Sequence, residues 1–262
     1  MKIEFYKFHG AGNDFLIIDN RSRYFIPKSE TIELLCDRHF GVGADGLITL
    51  EDSTEHDFEM RYFNADGNES TMCGNGGRCI VSFARLKGIV KSQAIFKAID
   101  GIHEGIILQS MHVEDIVKLK MVNVEEVLLV NQFTILNSGS PHCVNFTEDI
   151  GTLDVFAEGR RIRNLPQFSP EGINVNFVRL HENAVHIRTY ERGVESETLA
   201  CGTGAVAASI AANFSDPRVV SPVSVVAKGG TLKVYFEKNE GKYFNIWLEG
   251  PARFVFKGEI EV

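Results

Sequence analysis

Two cysteines, each opening a Cys-Gly-x-Gly run, are the residues of this chain best placed to do chemistry. One lies in Thr71-Met72-Cys73-Gly74-Asn75-Gly76-Gly77-Arg78-Cys79. The other lies in Leu199-Ala200-Cys201-Gly202-Thr203-Gly204-Ala205, 128 residues further on. An apolar helical run follows each. A helix start presents unpaired N–H groups and a partial positive charge. Glycines let that backbone approach a carboxylate, and a thiol held there ionises more readily to the reactive thiolate. Each unit therefore offers an anion cradle beside a candidate acid, base or nucleophile. Either unit taken alone also fits a buried structural cysteine, the commoner circumstance.

The pairing changes that balance. Subtracting 128 places Tyr190 on Tyr62, Arg192 on Asn64, Asn174 on Gly46, and Ser138-Gly139-Ser140 on Gly10-Ala11-Gly12. Four landmarks sharing one offset point to an internal duplication. Related halves are expected to face each other across a cleft, with Cys73 and Cys201 on opposite sides of one ligand. That arrangement suits inversion at carbon: one thiolate removes a Cα proton, and the other thiol returns one to the opposite face. The carbanion would be stabilised by donors at two helix starts aimed at its carboxylate.

The elements that must position these groups are legible as an α/β pattern. Helices are expected at Thr31–His39, Arg78–Lys87, Leu153–Asn164 and Gly204–Asn213. Strands are expected from Phe5 to Asp19 around a Gly-rich turn, then at Leu47–Leu50, Asp57–Phe63 and onward to about Val130. The second half repeats the plan: a strand and turn over Thr134–Ser140, then strands after Gly172, at Val185–Tyr190, Ser224–Ala227, Leu232–Phe236, Tyr243–Leu248 and Arg253–Phe256.

Bulk properties narrow the function. The 262 residues suffice for one large or two medium domains, and a net charge of −8 without a basic cluster argues against nucleic acid. No apolar run approaches a membrane span, and Met1-Lys2-Ile3-Glu4-Phe5 has no signal-peptide layout; the protein is expected to be cytoplasmic. Five cysteines at irregular spacing include no C-x-x-C, so neither a disulfide framework nor a zinc site is expected. No pyridoxal-binding lysine motif and no metal cluster is visible, so no cofactor is expected.

Six ordered motifs carry a resemblance over the full length: Phe8-His9-Gly10-Ala11-Gly12-Asn13-Asp14-Phe15, Phe63-Asn64-Ala65-Asp66-Gly67, Met72 to Cys79, Gly139-Ser140-Pro141-His142-Cys143-Val144, Gly172 to Phe177, and Tyr190-Glu191-Arg192-Gly193 running into Ala200 to Gly204. The chain resembles the diaminopimelate epimerases. The resemblance implies cofactor-independent interconversion of LL- and meso-2,6-diaminopimelate, a step that supplies lysine and peptidoglycan synthesis. It implies two pseudo-symmetric α/β domains, each a mixed β-sheet curled around a central helix, and a homodimer. The expected halves are residues 1–120, completed by a C-terminal strand at about 252–262, and residues 121–251.

By the same resemblance Cys73 and Cys201 are the proton-transfer pair. Gly74, Asn75, Gly202 and Thr203 cradle the reacting carboxylate. Asn13, Asn64, Asn174, Glu191 and Arg192 contact substrate, and His142 and Glu191 tune the cysteines. Arg192 suits a carboxylate as a two-pronged donor, and Glu191 suits an ammonium. Two positions depart from the pattern. Many family members carry glutamine at Gly46 and asparagine at Ser140, so both bear on selectivity more than on chemistry.

Other residues read more plainly. Cys36, Cys79 and Cys143 fit small buried side chains, and His9 fits a local partner for the turn before Asn13. Asp66 fits a turn former. His39, His56, His103, His112, His181 and His186 show no ligand spacing. Arg78, unfavourable at a helix start, suggests a partner carboxylate. Two competing functions remain: another amino-acid racemase such as a proline or hydroxyproline epimerase, and a thiol switch in which Cys73 and Cys201 form a disulfide. Phenazine-pathway isomerases share the family fold but lack the cysteine pair.

Overall fold

Alternation of apolar residues, broken by short polar turns, gives this chain many strands and few helices. In a computed structural model of the protein, which describes residues 2–181 and 184–262, the chain divides into two compact units. One comprises Met1–Leu119 with Gly250–Val262, the other Lys120–Glu249.

In the first unit β1 (Lys2–Gly10) and β2 (Asn13–Asp19) form a hairpin, and α1 (Ser29–Cys36) carries the chain to β3 (Gly46–Glu51), parallel to β2. β4 (Phe58–Asn64) pairs antiparallel with β3 and with the short β5 (Glu69–Ser70). After α2 (Gly74–Leu86), β6 (Gln93–Ala98) runs parallel to β4 and leads through hairpins into β7 (Gly101–Ser110) and β8 (Glu114–Lys120). The C-terminal strand (Lys242–Glu261) pairs with β8 and then with β1.

In the second unit β9 (Val127–Val130) and β11 (Pro141–Phe146) flank β10 (Phe133–Asn137), antiparallel to both. α3 (Val155–Arg163) precedes β12 (Asn174–His181), parallel to β11. β13 (Ala184–Glu191) pairs antiparallel with β12 and with β14 (Ser196–Thr198). After α4 (Gly202–Ser215), β15 (Val223–Ala227) runs parallel to β13 and hairpins to β16 (Gly230–Asn239), which pairs with the C-terminal strand, β17.

Alternation decides what each helix covers. Leu16, Ile18, Leu47 and Phe63 join Ile32 and Leu35 of α1 in one core, while Phe15, Ile48 and Met60 lie against the start of α2. In the second unit Val175, Phe177 and Tyr190 join Val155 and Ile162 of α3. β2 and β3 are apolar on both faces for this reason. No helix among the described residues is long and apolar enough to cross a membrane.

The register corrects the simple offset. Gly46 lies opposite Asn64 and Leu47 opposite Phe63, whereas Val175 lies opposite Tyr190. Tyr190 therefore occupies the place of Phe63, not Tyr62, and Glu191, not Arg192, that of Asn64. The offset is 127 on this strand and returns to 128 at β14, where Glu197 faces Tyr190 as Glu69 faces Phe63. Packing agrees: Phe63 and Tyr190 are core residues.

Element boundaries also differ from the sequence expectation, α1 included, which runs Ser29–Cys36. α2 and α4 begin at Gly74 and Gly202, so each glycine pair forms the first helical turn rather than preceding it. Glycine costs about 1 kcal/mol there relative to alanine, but tertiary packing decides: Gly74 to Ala84 are all buried. The expected strands at Tyr243–Leu248 and Arg253–Phe256 are one strand through Pro251. At Pro251 the strand is paired with β8, and pairing with β1 starts at Arg253, so the missing proline N–H costs no ladder bond on the β1 side.

Candidate active site

In the first unit Cys73 caps α2 in an extended conformation and is half-buried. Its Sγ lies 3.6 Å from Asn13 Oδ1, at the start of β2, and Asn75 Nδ2 donates to the same oxygen at 3.2 Å. Asn13 Nδ2 donates to Asp45 Oδ2 at 2.7 Å. Gly12 N–H reaches His9 Nδ1 at 3.4 Å, so His9 pins the turn that presents Asn13. Asp14, next in line, is held by Lys7 and Arg38. Burial pushes its carboxyl up, but hydrogen bonds from those two cations outweigh it and bring it to about 2. Asn64 ends β4 opposite Gly46, where Asp66 accepts from Asn68 N–H in the following turn.

Arg78 corrects an expectation. It is 0% exposed, and its partners are not carboxylates. Nη1 donates to Gly74 O at 3.0 Å, Nη2 to Asn75 Oδ1 at 2.7 Å, and Nε to Pro251 O at 3.5 Å. Arg78 thereby fixes the Asn75 amide, whose NH2 must then face Asn13.

Gly46 has no room for a side chain. A Cβ there would lie 2.7 Å from Tyr62 Cε2 and 2.6 Å from Phe63 O. The Tyr62 ring, edge-on to Phe15 at 5.9 Å, fills that space.

In the second unit Cys201 caps α4, and its Sγ accepts from Gly204 N–H at 3.4 Å. Thr203 Oγ1 lies 3.4 Å from the same sulfur and 2.9 Å from His142 Nε2. His142 is fully buried on β11, and burial, aided by the charge of Arg192, pushes its pKa down to about 3. It is therefore neutral near pH 7. Asn176 Nδ2 lies 2.9 Å from His142 Nδ1 and 3.4 Å from Cys143 O. A carbonyl only accepts, so this Nδ2 is a donor and Nδ1 an acceptor. The His142 proton then sits on Nε2 and is donated to Thr203 Oγ1, leaving the threonine O–H for the Cys201 sulfur. Thr189 Oγ1 completes the set by donating to Asn176 Oδ1 at 3.0 Å.

Gly204 makes this arrangement possible. A Cβ there would stand 2.6 Å from Asn176 Oδ1 and 3.1 Å from Cys201 Cβ. Ser138 Oγ donates to Thr203 O at 2.8 Å and ties the β10–β11 turn to the helix start.

Asn174 heads a second polar group. Nδ2 donates to Ser140 Oγ at 2.8 Å and to Pro141 O at 3.2 Å, while Oδ1 accepts from Arg192 N–H at 2.8 Å. Glu191 ends β13 beside it. The first unit thus gathers Cys73, Gly74, Asn75 and Asn13, with Asn64 two strands away across β3. The second gathers Cys201, Gly202, Thr203 and His142, with Asn174, Glu191 and Arg192 at the strand ends. Sequence reasoning missed Asp45, Asn176, Thr189 and Ser138. The alternation Asn174-Val175-Asn176 was a usable signal for Asn176, because two like polar residues on one face of a strand share surroundings.

Cys36, Cys79 and Cys143 are buried, and burial pushes each thiol to about 12. They remain protonated and unreactive near neutral pH.

The sequence model of the diaminopimelate epimerase family matches residues 5–123 and 134–255. A diaminopimelate epimerase from Flavobacterium psychrophilum is 47% identical over 261 residues, covering 98% of this chain and 100% of its own. One from Chlorobaculum tepidum is 43% identical, covering 96% and 98%. Among solved structures, a PhzF-family phenazine biosynthesis protein from Bacillus anthracis has a TM-score of 0.78 at 17% identity over 100% of both chains. A hydroxyproline epimerase from Agrobacterium vitis has a TM-score of 0.71 at 13% identity, covering 99% of this chain and 92% of its own. At those identities the two structures speak for the fold alone. The sequence relatives reach further, since their match runs through both Cys-Gly-x-Gly helices and nearly the whole chain, and this chain belongs to the diaminopimelate epimerase family.

Proposed function

We propose that this protein interconverts LL- and meso-2,6-diaminopimelate by cofactor-independent proton transfer at Cα, as a step toward lysine and peptidoglycan precursors. The observation that carries the reading is the recurrence, in a member of this family, of a cysteine as the cap of a buried helix: Cys73 on α2 and Cys201 on α4. Inversion needs a base for the Cα proton and an acid that returns a proton to the other face. One cysteine acts as thiolate and the other as thiol, and the roles exchange for the reverse reaction. The Cα–H bond breaks with its electron pair left on carbon and delocalised into the carboxylate. Backbone N–H groups near Gly74, Asn75, Gly202 and Thr203 are suited to receive that charge.

The remaining assignments follow the same reading. Asn13, Asn64, Asn174, Glu191 and Arg192 take the two ammonium and two carboxylate groups of the substrate. His142 acts on Cys201 through Thr203, which matches a tuning role, and Glu191 is its proposed companion. The two units are proposed to be pseudo-symmetric copies, each a sheet curled about its central helix. The shared order of strand pairings supports this. The enzyme is further proposed to be a cytoplasmic homodimer.

The test is deuterium incorporation at Cα in heavy water. Exchange into LL-diaminopimelate, with none into lysine or proline, is expected. Exchange into proline alone would overturn the substrate assignment, and no exchange into any amino acid would favour a thiol switch.

A further inference from the structure

Arg78 is a cation sealed in the first unit. Its hydrogen-bond partners are two backbone carbonyls and one amide oxygen, which are neutral. Of the carboxylates on neighbouring elements, Asp14 is engaged with Lys7 and Arg38, Asp19 with Arg21 and Lys87, Asp45 with Arg38, and Asp115 with Arg85 and Ser82. Strands β1, β2, β3 and β7 pack on α2, and Met60 of β4, Leu119 and Asp115 of β8 and Pro251 of the C-terminal strand also reach it. Among the described residues, the ionisable groups that act on the guanidinium are Cys79 on its own helix and Cys73 at the cap. Cys79 is pushed to about 12 by burial and stays a thiol. Of these two, Cys73 is the half-buried one and sits at the helix start.

We propose that Arg78 is the counter-charge of the Cys73 thiolate and the positioning residue of its site, acting through Gly74 and Asn75. A buried positive charge close to an acid stabilises its ionised form, and an arginine cannot lose its proton to escape burial. The same guanidinium orders the amide chain: Nη2 holds Asn75 Oδ1, Asn75 Nδ2 holds Asn13 Oδ1, and that oxygen faces the Cys73 sulfur. The facing oxygen accepts from the thiol, whereas Arg78 and the helix start favour the thiolate. The two forms are thereby brought closer in energy, which suits a group that must both take and give a proton.

The test is the pH dependence of Cys73 alkylation by iodoacetamide in the intact protein, read by mass spectrometry of the Cys73 peptide. Removing the charge with Arg78→Met is expected to raise the midpoint by about one pH unit, a roughly tenfold weaker acid. Arg78→Lys, which keeps the charge, stays within about half a unit of wild type. In wild type the midpoint is expected to move less than about 0.3 unit between about 0.05 M and about 0.5 M salt, because the Arg78 charge is sealed from solvent and poorly screened. An unmoved midpoint in Arg78→Met, an equal shift in both variants, or a strong salt dependence in wild type overturns the proposal. If Arg78→Met does not fold, Arg78→Gln removes the charge while keeping an amide donor, and the wild-type salt series stands in any case. Alkylation needs no turnover, so this test is separate from the acid–base reading on which the kinetic consequence rests. That consequence is a fall in kcat of about tenfold with KM changed less than about threefold.

Discussion

His142 gives the chain a pH-dependent stability whose size follows from its surroundings. The ring is fully buried among Thr203 and Asn176, and its pKa falls from an ordinary 6.5 to about 3. A depressed folded pKa means that the unfolded chain binds the proton more tightly. Stability from this group is therefore complete above about pH 6.5 and is lost as pH falls toward about 3. Between pH 7 and pH 5 the loss is about 2 kcal/mol, close to 1.4 kcal/mol for each unit below 6.5. The perturbation is His142→Gln, which keeps a side-chain donor near Thr203 but cannot titrate. The assay is urea unfolding at both pH values, taking the change between them for each protein. His9, whose pKa burial also lowers, is present in both proteins and cancels. Wild type is expected to lose about 2 kcal/mol more than the variant over this interval. Equal losses would refute the buried neutral imidazole and the proton placement on Nε2 that rests on it.

Two further outcomes follow from the Cys201 network. Gly204→Ala puts a methyl 2.6 Å from Asn176 Oδ1, so it should destabilise the second unit by about 1–3 kcal/mol despite alanine's better helix propensity; thermal unfolding that shifts upward would contradict this. Thr203→Val removes the hydroxyl between His142 and Cys201 and leaves the buried imidazole N–H unpaired, at a cost of about 1–3 kcal/mol. Thr203→Ser should restore most of that stability, as should kcat measured alongside; a serine variant as impaired as the valine would show that the methyl matters and the hydroxyl does not.

The sequence carried the chemistry further than the geometry. Cys-Gly-x-Gly before an apolar run was enough to place both cysteines at helix starts, because capping and close approach are local demands. The same glycines concealed where the helices begin, since burial of Gly74 to Ala84 overrides the poor helix propensity of the first turn. The fixed offset of 128 located the repeated landmarks but missed the one-residue change on β4 and β13, which only register and the core positions of Phe63 and Tyr190 reveal. Arg78 looked misplaced because the rule about helix starts treats charge alone; its oxygen partners come from Gly74, Asn75 and, 173 residues away, Pro251. The relay from Asn176 through His142 to Thr203 joins three distant segments, and no local pattern announces it.

The central claim is that Cys73 and Cys201 share one proton-transfer reaction. The direct measurement is LL-to-meso interconversion by Cys73→Ser and Cys201→Ser, under reductant, beside wild type. Each serine variant is expected to lose about 10²–10⁴-fold in rate, the usual worth of a positioned acid or base. Wild-type-like interconversion by either variant would contradict the account.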